Sequence, residues 1–247
     1  LVVRGHRIAT TCGAFHALRE IPNIVPQLQG GPFVYPLWLQ RQLLGVDLSS
    51  GGLLLICGSA GTGKSTTMAA VVVSRLRAYG SMAIAIEDPP EYDLQGMHGC
   101  GNCLQMPAEA PEQFPGLIMD ALRCYPAAIS GVMLMISEIR NAETAALVLE
   151  AALSGHLVLS SIHAAGIESA VARLVSLAGQ TLGATVARAD AAEAVRLVVH
   201  QKRGQHGILF AALKNVGDPS VASKIREGQF HMLTADIQRQ AAVMMGE

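Results

Sequence analysis

Four apolar runs of strand length punctuate the middle of the chain: Leu53–Cys57, Met82–Ile86, Val132–Ile136 and Leu157–Ser161. Each is apolar at consecutive positions, the pattern of a strand buried on both faces rather than one facing water. Stretches of helical character separate most of them, at Ser65–Tyr79, at about Phe114–Arg123 and at Ala142–Leu153. Buried strands alternating with helices predict an α/β fold built on a doubly wound parallel sheet. Ligands of such sheets bind beyond the carboxyl ends of the strands. Upstream, residues 1–20 read as a short strand pair. Residues 21–36, "IPNIVPQLQGGPFVYP", hold four prolines and a glycine pair and read as an extended linker rather than a packed element. "LWLQRQLL" then reads as a short amphipathic helix. The tail is mostly helical, with strands near Arg196–His200 and Gly207–Leu213 and a helix start at Asp218-Pro219.

The first strand runs into Gly58-Ser59-Ala60-Gly61-Thr62-Gly63-Lys64-Ser65, a full match to G-x-x-x-x-G-K-[ST]. Its glycines let consecutive backbone N–H groups curl around an anion, and the helix that follows presents its positive end to the same point. The spacing directs Lys64 to the β- and γ-phosphates of a nucleoside triphosphate and the Ser65 hydroxyl to Mg²⁺.

Acidic residues close the next strands. Glu87-Asp88 follows "MAIAI", where a carboxylate can polarise water or support Mg²⁺, and where Asp88 can equally cap a turn before Pro89-Pro90. Glu138 follows "GVMLMIS" in the Walker B position, suited to Mg²⁺ or the attacking water. His156 precedes the fourth apolar run and His163 follows it. Spacing alone assigns neither a role.

Composition narrows the partners. Lys and Arg are scattered through a chain of formal net charge −1, without the basic stripe of a nucleic-acid binder. No apolar run approaches the length of a bilayer span. Five irregularly spaced cysteines point to a reducing compartment and away from a disulfide framework. In "HGCGNC", His98, Cys100 and Cys103 have the start of a zinc spacing, but no second Cys pair follows, so a glycine-rich loop with incidental thiols is the favoured reading. The opening "LVVRGHRIATT" has no initiator Met and reads as a chain begun mid-strand.

Taken in order, "GSAGTGKSTT", "IEDPPEY", "ISEIRNAETAALVLEAALSGHLVLSSIHA" and "KIREGQFHMLTADIQRQ" resemble the secretion and pilus motor ATPases, the PilT, PilB and GspE class of RecA-like hexamers. The resemblance runs from about Leu18 to Gln238. It implies a RecA-like P-loop NTPase core over 37–215 and a C-terminal helical region over 216–247. It also implies a remnant N-terminal domain over 1–20 and a linker over 21–36. By motif, Gly58, Ser59, Ala60, Gly61, Thr62, Gly63, Lys64, Ser65 and Thr66 would hold ATP. Ser65 and Glu138 would serve Mg²⁺, Glu87 would activate water, His163 would sense the γ-phosphate and His156 would support it. Arg123 would reach a neighbouring subunit's nucleotide and Arg140 would be structural, while Arg4 and Arg7 would be remnants of N-terminal-domain arginines or simply solvated. The implied protein is a hexameric ATPase driving a type IV pilus or a type II secretion pseudopilus. It would act from the bacterial cytoplasm on an inner-membrane platform protein, with no nucleic-acid partner; the alternative is a hydrolysis-weak subunit of the same machinery. The chain departs from the family pattern at Met119 (an arginine), Ser137 (a glycine), Asn141 (an aspartate) and Ala164 (a threonine), and Tyr-Pro-Ala-Ala at 125–128 replaces the usual acidic turn.

Overall fold

A computed structural model of the chain describes residues 3–20, 24–31, 33–125 and 131–246. The elements follow the apolar pattern. β1 (Val3–Thr10) and β2 (Gly13–Glu20) pair antiparallel as a sheet of their own; the side chains of Arg4 and Arg7 lie outside the described set. After α1 (Leu37–Leu43) come β3 (Gly52–Gly58), α2 (Lys64–Tyr79) and β4 (Met82–Glu87). β5 (Gly96–His98), β6 (Gly101–Pro107), α3 (Phe114–Cys124), β7 (Met133–Ile136), α4 (Ala142–Leu153) and β8 (Leu157–Ile162) follow. The chain closes with α5 (Ile167–Leu182), α6 (Ala184–Ala194), β9 (Val195–Gly204), β10 (Gly207–Lys214), α7 (Pro219–Glu227) and α8 (Leu233–Gly246).

The main sheet has the order β10-β9-β3-β8-β7-β4-β6-β5. Pairing is parallel from β9 through β6, and only the two outermost strands run antiparallel. This is the doubly wound, mostly parallel sheet expected, and its parallel strands all end at one edge. Residues of alternate register feed two cores. Leu53, Leu55, Ile84, Ile86, Leu134, Ile136, Val158 and Ile162 meet α3 to α6. Leu54, Ile56, Ala83, Ala85, Met133, Met135 and Leu159 meet α1 and α2. Burial on both faces is the physical reason the strands read as continuous apolar runs.

Two expectations change. "HGCGNC" is the turn of the β5–β6 hairpin rather than a loop, and β6 extends the sheet beside β4. Its glycines serve close packing: a Cβ at Gly101 would stand 2.7 Å from the Leu76 side chain. The proline-rich segment carries no helix or strand among its described residues, yet it is packed, since Leu28 and Tyr35 are buried in the α2-side core. Residues 126–130, most of the altered acidic turn, lie outside the described residues.

Asn141, where the family carries aspartate, sits at the N-cap of α4 and its Oδ1 accepts the Thr144 N–H at 2.8 Å. Either side chain satisfies that donor, so the change is structurally neutral. Asn141→Asp is expected to unfold like the parent, and Asn141→Ala to lose about 1 kcal/mol in a denaturant titration. At the other end, Gln240 of α8 bonds both backbone groups of Lys214, its Oε1 accepting at 2.7 Å and its Nε2 donating at 2.8 Å, which ties the closing helix to the edge strand β10.

Candidate nucleotide site

The site forms where β3, β4, β7 and β8 end together. Odd-numbered residues of β4, β7 and β8 face α2, and the same register continued past the strands places Glu87, Ser137, Ser161 and His163 on the α2 side. With the loop after β3 they line a cavity of about 500 Å³, whose walls include Gly61, Lys64, Ser65, Thr66, Asp88, Glu138 and Arg140.

The loop is shaped for an anion. Gly61 and Gly63 hold φ of 74° and 84°, where a β-carbon is strained. Gly63 is the N-cap of α2 and no side chain caps that helix. The first N–H groups of α2 therefore have no intrahelical partner and face the cavity mouth. At Gly58 a Cβ would lie 2.3 Å from the Gln201 carbonyl oxygen, so glycine is required for β3 and β9 to approach. Thr62 Oγ1 donates to the Ser59 carbonyl at 2.9 Å, and Gln201 Nε2 donates to Thr67 Oγ1 at 3.0 Å.

Lys64 is buried. Its Nζ donates to the Gly58 and Ser59 carbonyls at 3.0 and 2.9 Å and reaches His163 Nδ1 at 3.4 Å. Burial lowers its pKa and the Glu138 carboxylate opposes that fall. His163 Nε2 lies 3.2 Å from Glu138 Oε1. An ammonium only donates, so Nδ1 is the acceptor and the Nε2–H points to Glu138. Lys64, His163 and Glu138 thus form one chain of hydrogen bonds across the cavity floor. Arg140 Nε donates to Glu138 Oε2 at 2.9 Å, and its Nη1 stands 3.8 Å from Asp88 Oδ2.

Glu87 is 2% exposed. Burial raises its carboxyl pKa to about 7, against the opposing pull of a hydrogen bond from Gln105. Gln105 Nε2 donates to Glu87 Oε1 at 2.7 Å. A carboxyl poised near neutrality beside a phosphate loop has the properties of a general base.

Residues 39–209 match the family model described as Type II/IV secretion system protein. The chain belongs to that family. The uncharacterized protein YggR of Escherichia coli (strain K12) is 35% identical over 98% of this chain and 72% of its own length. The type II secretion system protein HxcR of Pseudomonas aeruginosa is 40% identical, but over 51% of this chain and only 25% of its own length. Among solved structures, the pilus retraction motor PilT with bound ADP superposes with a TM-score of 0.78 at 24% identity, covering 96% of this chain and 66% of that one. The Legionella pneumophila ATPase DotB gives 0.69 at 25% identity, over 96% and 63%. The chain thus spans about a quarter of HxcR and just under two thirds of PilT and DotB. Its relatives include type II secretion system proteins, and its fold is that of the PilT and DotB structures.

Within this secretion-family fold, the structure brings together Gly58–Thr66, Glu87, Asp88, Glu138 and His163. It leaves two predicted residues outside. His156 lies at the amino end of β8, opposite the phosphate loop, where its Nδ1 meets the Ala151 carbonyl at 3.1 Å and its ring packs on Tyr125. A strand separates the two histidines, so His156 cannot support His163 in this chain. Arg123 is on α3, largely exposed, and among the described residues it pairs with Asp120 at 3.5 Å. It touches nothing in this chain's cavity. Arg140, expected to be structural, is ion-paired with Glu138 and Asp88 and lies in the cavity wall. Cys103 is buried, Cys100 is exposed, and His98 Nε2 meets the Leu94 carbonyl at 2.9 Å. No metal-binding cluster exists among the described residues, and no helix among them is long and apolar enough to cross a membrane.

A second cavity, of about 660 Å³, adjoins the first through Gly61, Gly63 and Thr66. Phe33, Val34 and Tyr35 form one wall, with Arg203, His206, Ile208 and Phe210 of the β9–β10 hairpin opposite. No motif marks these residues; the only local signal is three apolar side chains between Pro32 and Pro36.

Proposed function

We propose that this chain hydrolyses ATP and, as a ring of six copies, drives assembly or retraction of a pilus or of a secretion pseudopilus. The observation that carries this reading is the meeting of Lys64, Glu87, Glu138 and His163 around one cavity behind an uncapped helix start. The triphosphate would lie in that cavity and the nucleoside in the adjoining, more apolar one, with the phosphate loop between them.

Ser65 and Glu138 would hold Mg²⁺, which would neutralise charge on the β- and γ-phosphate oxygens. The loop N–H groups and Lys64 orient the phosphates. Glu87 takes the proton of a water aligned with the γ-phosphorus, and the buried position keeps bulk water from competing for that proton. His163, held between Lys64 and Glu138, is placed to report the triphosphate state by donating to a γ-phosphate oxygen once Nδ1 carries a proton in place of its Lys64 contact. Arg123 would act on the nucleotide of the next subunit, since it is exposed and lies outside the cavity of its own chain. The work would be done from the cytoplasm on a platform protein of the inner membrane.

Steady-state ATP hydrolysis by the full chain across a protein concentration series tests the reading. Specific activity is expected to rise as the ring assembles, and Arg123→Ala is expected to stay at the low-concentration rate while binding ATP normally. Met119 lies one helical turn before Arg123 on the exposed face of α3, where a second arginine is expected. That substitution favours one competing reading, a subunit that binds nucleotide and signals without efficient turnover. Tight ATP binding without hydrolysis at any concentration would select it.

A further inference from the structure

Gln105 belongs to no motif, yet its side chain is the most fully engaged amide near the cavity. It stands on β6, opposite Ala85 of β4 in the parallel register. Glu87 is two residues beyond Ala85 and therefore on the same face. The Gln105 amide closes that gap. Its Nε2 donates at 2.7 Å to Glu87 Oε1 and at 2.8 Å to the Tyr92 carbonyl, and its Oε1 accepts the Leu94 N–H at 3.2 Å. Rotating the amide by half a turn would set its oxygen against a carboxylate and a carbonyl and lose all three bonds, so the orientation is unique. Tyr92 in turn bonds Thr66 through the two hydroxyls, at 2.9 Å. Thr66 follows Ser65 in the first turn of α2.

We propose that Gln105 is the positioning residue of the hydrolytic step, holding the Glu87 carboxylate in register with the phosphate loop through Tyr92 and Thr66. Gln105 holds Oε1 and a backbone hydrogen bond from Glu91 also reaches the carboxylate, which with about four acceptor lone pairs still has room to meet the attacking water. The Tyr92–Thr66 bond fixes the 88–95 segment to the helix that carries the phosphates, so acid and phosphoryl group share one frame. The acid cannot swing while the amide holds it, and the amide cannot move while Tyr92 and Leu94 hold the amide. β6, paired with β4 at the sheet's edge, supplies this clamp.

The inference rests on Glu87 as the water-activating acid, and the test separates the two claims. Kinetics of ATP hydrolysis would be measured for the full chain, for Gln105→Leu, for Glu87→Gln and for the double variant, with melting temperatures as a check on folding. Leucine keeps the side-chain volume and removes the amide. Gln105→Leu is expected to lower kcat by about 10- to 100-fold, the cost of misplacing a reacting group by about an ångström. KM is expected to stay within about twofold, because the amide does not reach the nucleotide. In the Glu87→Gln background, Gln105→Leu is expected to change the residual rate by less than about twofold, since a residue acting only through the carboxylate has nothing left to act on.

Normal kcat in Gln105→Leu beside an inactive Glu87→Gln would overturn the positioning role and leave the acid's role standing. Equal fractional losses in both backgrounds would overturn it too, and would mark Gln105 as part of the packing alone. Full turnover in Glu87→Gln would instead remove the acid's role on which the inference depends. If Gln105→Leu unfolds, Tyr92→Phe carries the test: it breaks the Thr66 bond, keeps the ring, and is expected to lower kcat without changing KM.

Discussion

Lys64→Ala is expected to abolish ATP turnover and to remove the stabilisation that MgATP confers on the folded chain. The ammonium is already committed to the site: it is buried and bonds the Gly58 and Ser59 carbonyls while reaching His163. Each charge-assisted hydrogen bond it offers to a phosphate is worth about 1.5–3 kcal/mol, and a donor aimed at charge developing in the transition state about 10²–10³ in rate. Binding and turnover should therefore fall together. Thermal unfolding with and without MgATP gives the first readout, because a ligand at about 100 times its Kd stabilises by about 2.7 kcal/mol and that shift should vanish. Without nucleotide the variant should melt close to the parent, since removing a buried ammonium relieves its desolvation and one of the two carbonyls it leaves belongs to the exposed Ser59. A variant that still shifts with MgATP would show that the loop N–H groups hold the nucleotide alone.

Glu87→Gln is expected to separate binding from chemistry. Glutamine keeps the volume and can still accept from Gln105, so the pocket should keep its shape. It cannot take a proton, and loss of a general base costs about 10²–10⁴ in rate. ATP affinity should change little. The pH profile gives an independent check. Burial holds the Glu87 carboxyl at about 7, and the base works only when ionised. The rate constant kcat/KM should thus fall as pH drops below about 7, and the residual rate of Glu87→Gln should lack that limb. Stability moves the opposite way. A raised carboxyl pKa means the folded chain holds a proton that the unfolded chain releases between its ordinary value of 4.5 and about 7. Glu87 therefore weakens the fold as pH rises through that window, and Glu87→Gln should flatten this part of the stability curve. Unchanged hydrolysis in Glu87→Gln would move the proton acceptor elsewhere, Asp88 being the other carboxylate of that turn in the cavity wall.

The departures from the family pattern divide by location. Asn141 caps α4 as aspartate would, and Ser137 keeps its backbone N–H on the Ile86 carbonyl at 3.0 Å and its carbonyl on Ser161 Oγ at 2.6 Å. Both are absorbed by bonds that either residue type can make. Met119 is different. It stands exposed beside Arg123, where among the described residues no other positive charge takes the place of the missing one.

The apolar runs, the phosphate loop and the acids at the strand ends were all legible in order along the chain. Their physics is local. A strand buried on two faces must be apolar throughout, a loop that wraps an anion must have glycines at fixed offsets, and a residue ending a strand inherits that strand's register. What required the folded chain is everything set by which strand lies beside which. His156 and His163 look alike in the sequence, but the direction of β8 puts one at each end of the sheet. Arg140 becomes part of the cavity because Glu138 and Asp88 converge on it from different strands. Gln105 and Glu87 are 18 residues apart, with a hairpin between them that no hydrophobic period announces, because β5 is three residues long and half its neighbours are glycine, histidine or cysteine. The aromatic wall from the proline-rich segment is likewise a matter of docking, as Tyr35 is buried only once Phe210 and α2 are in place. Motifs specify which groups are present; the register of neighbouring strands decides which of them meet.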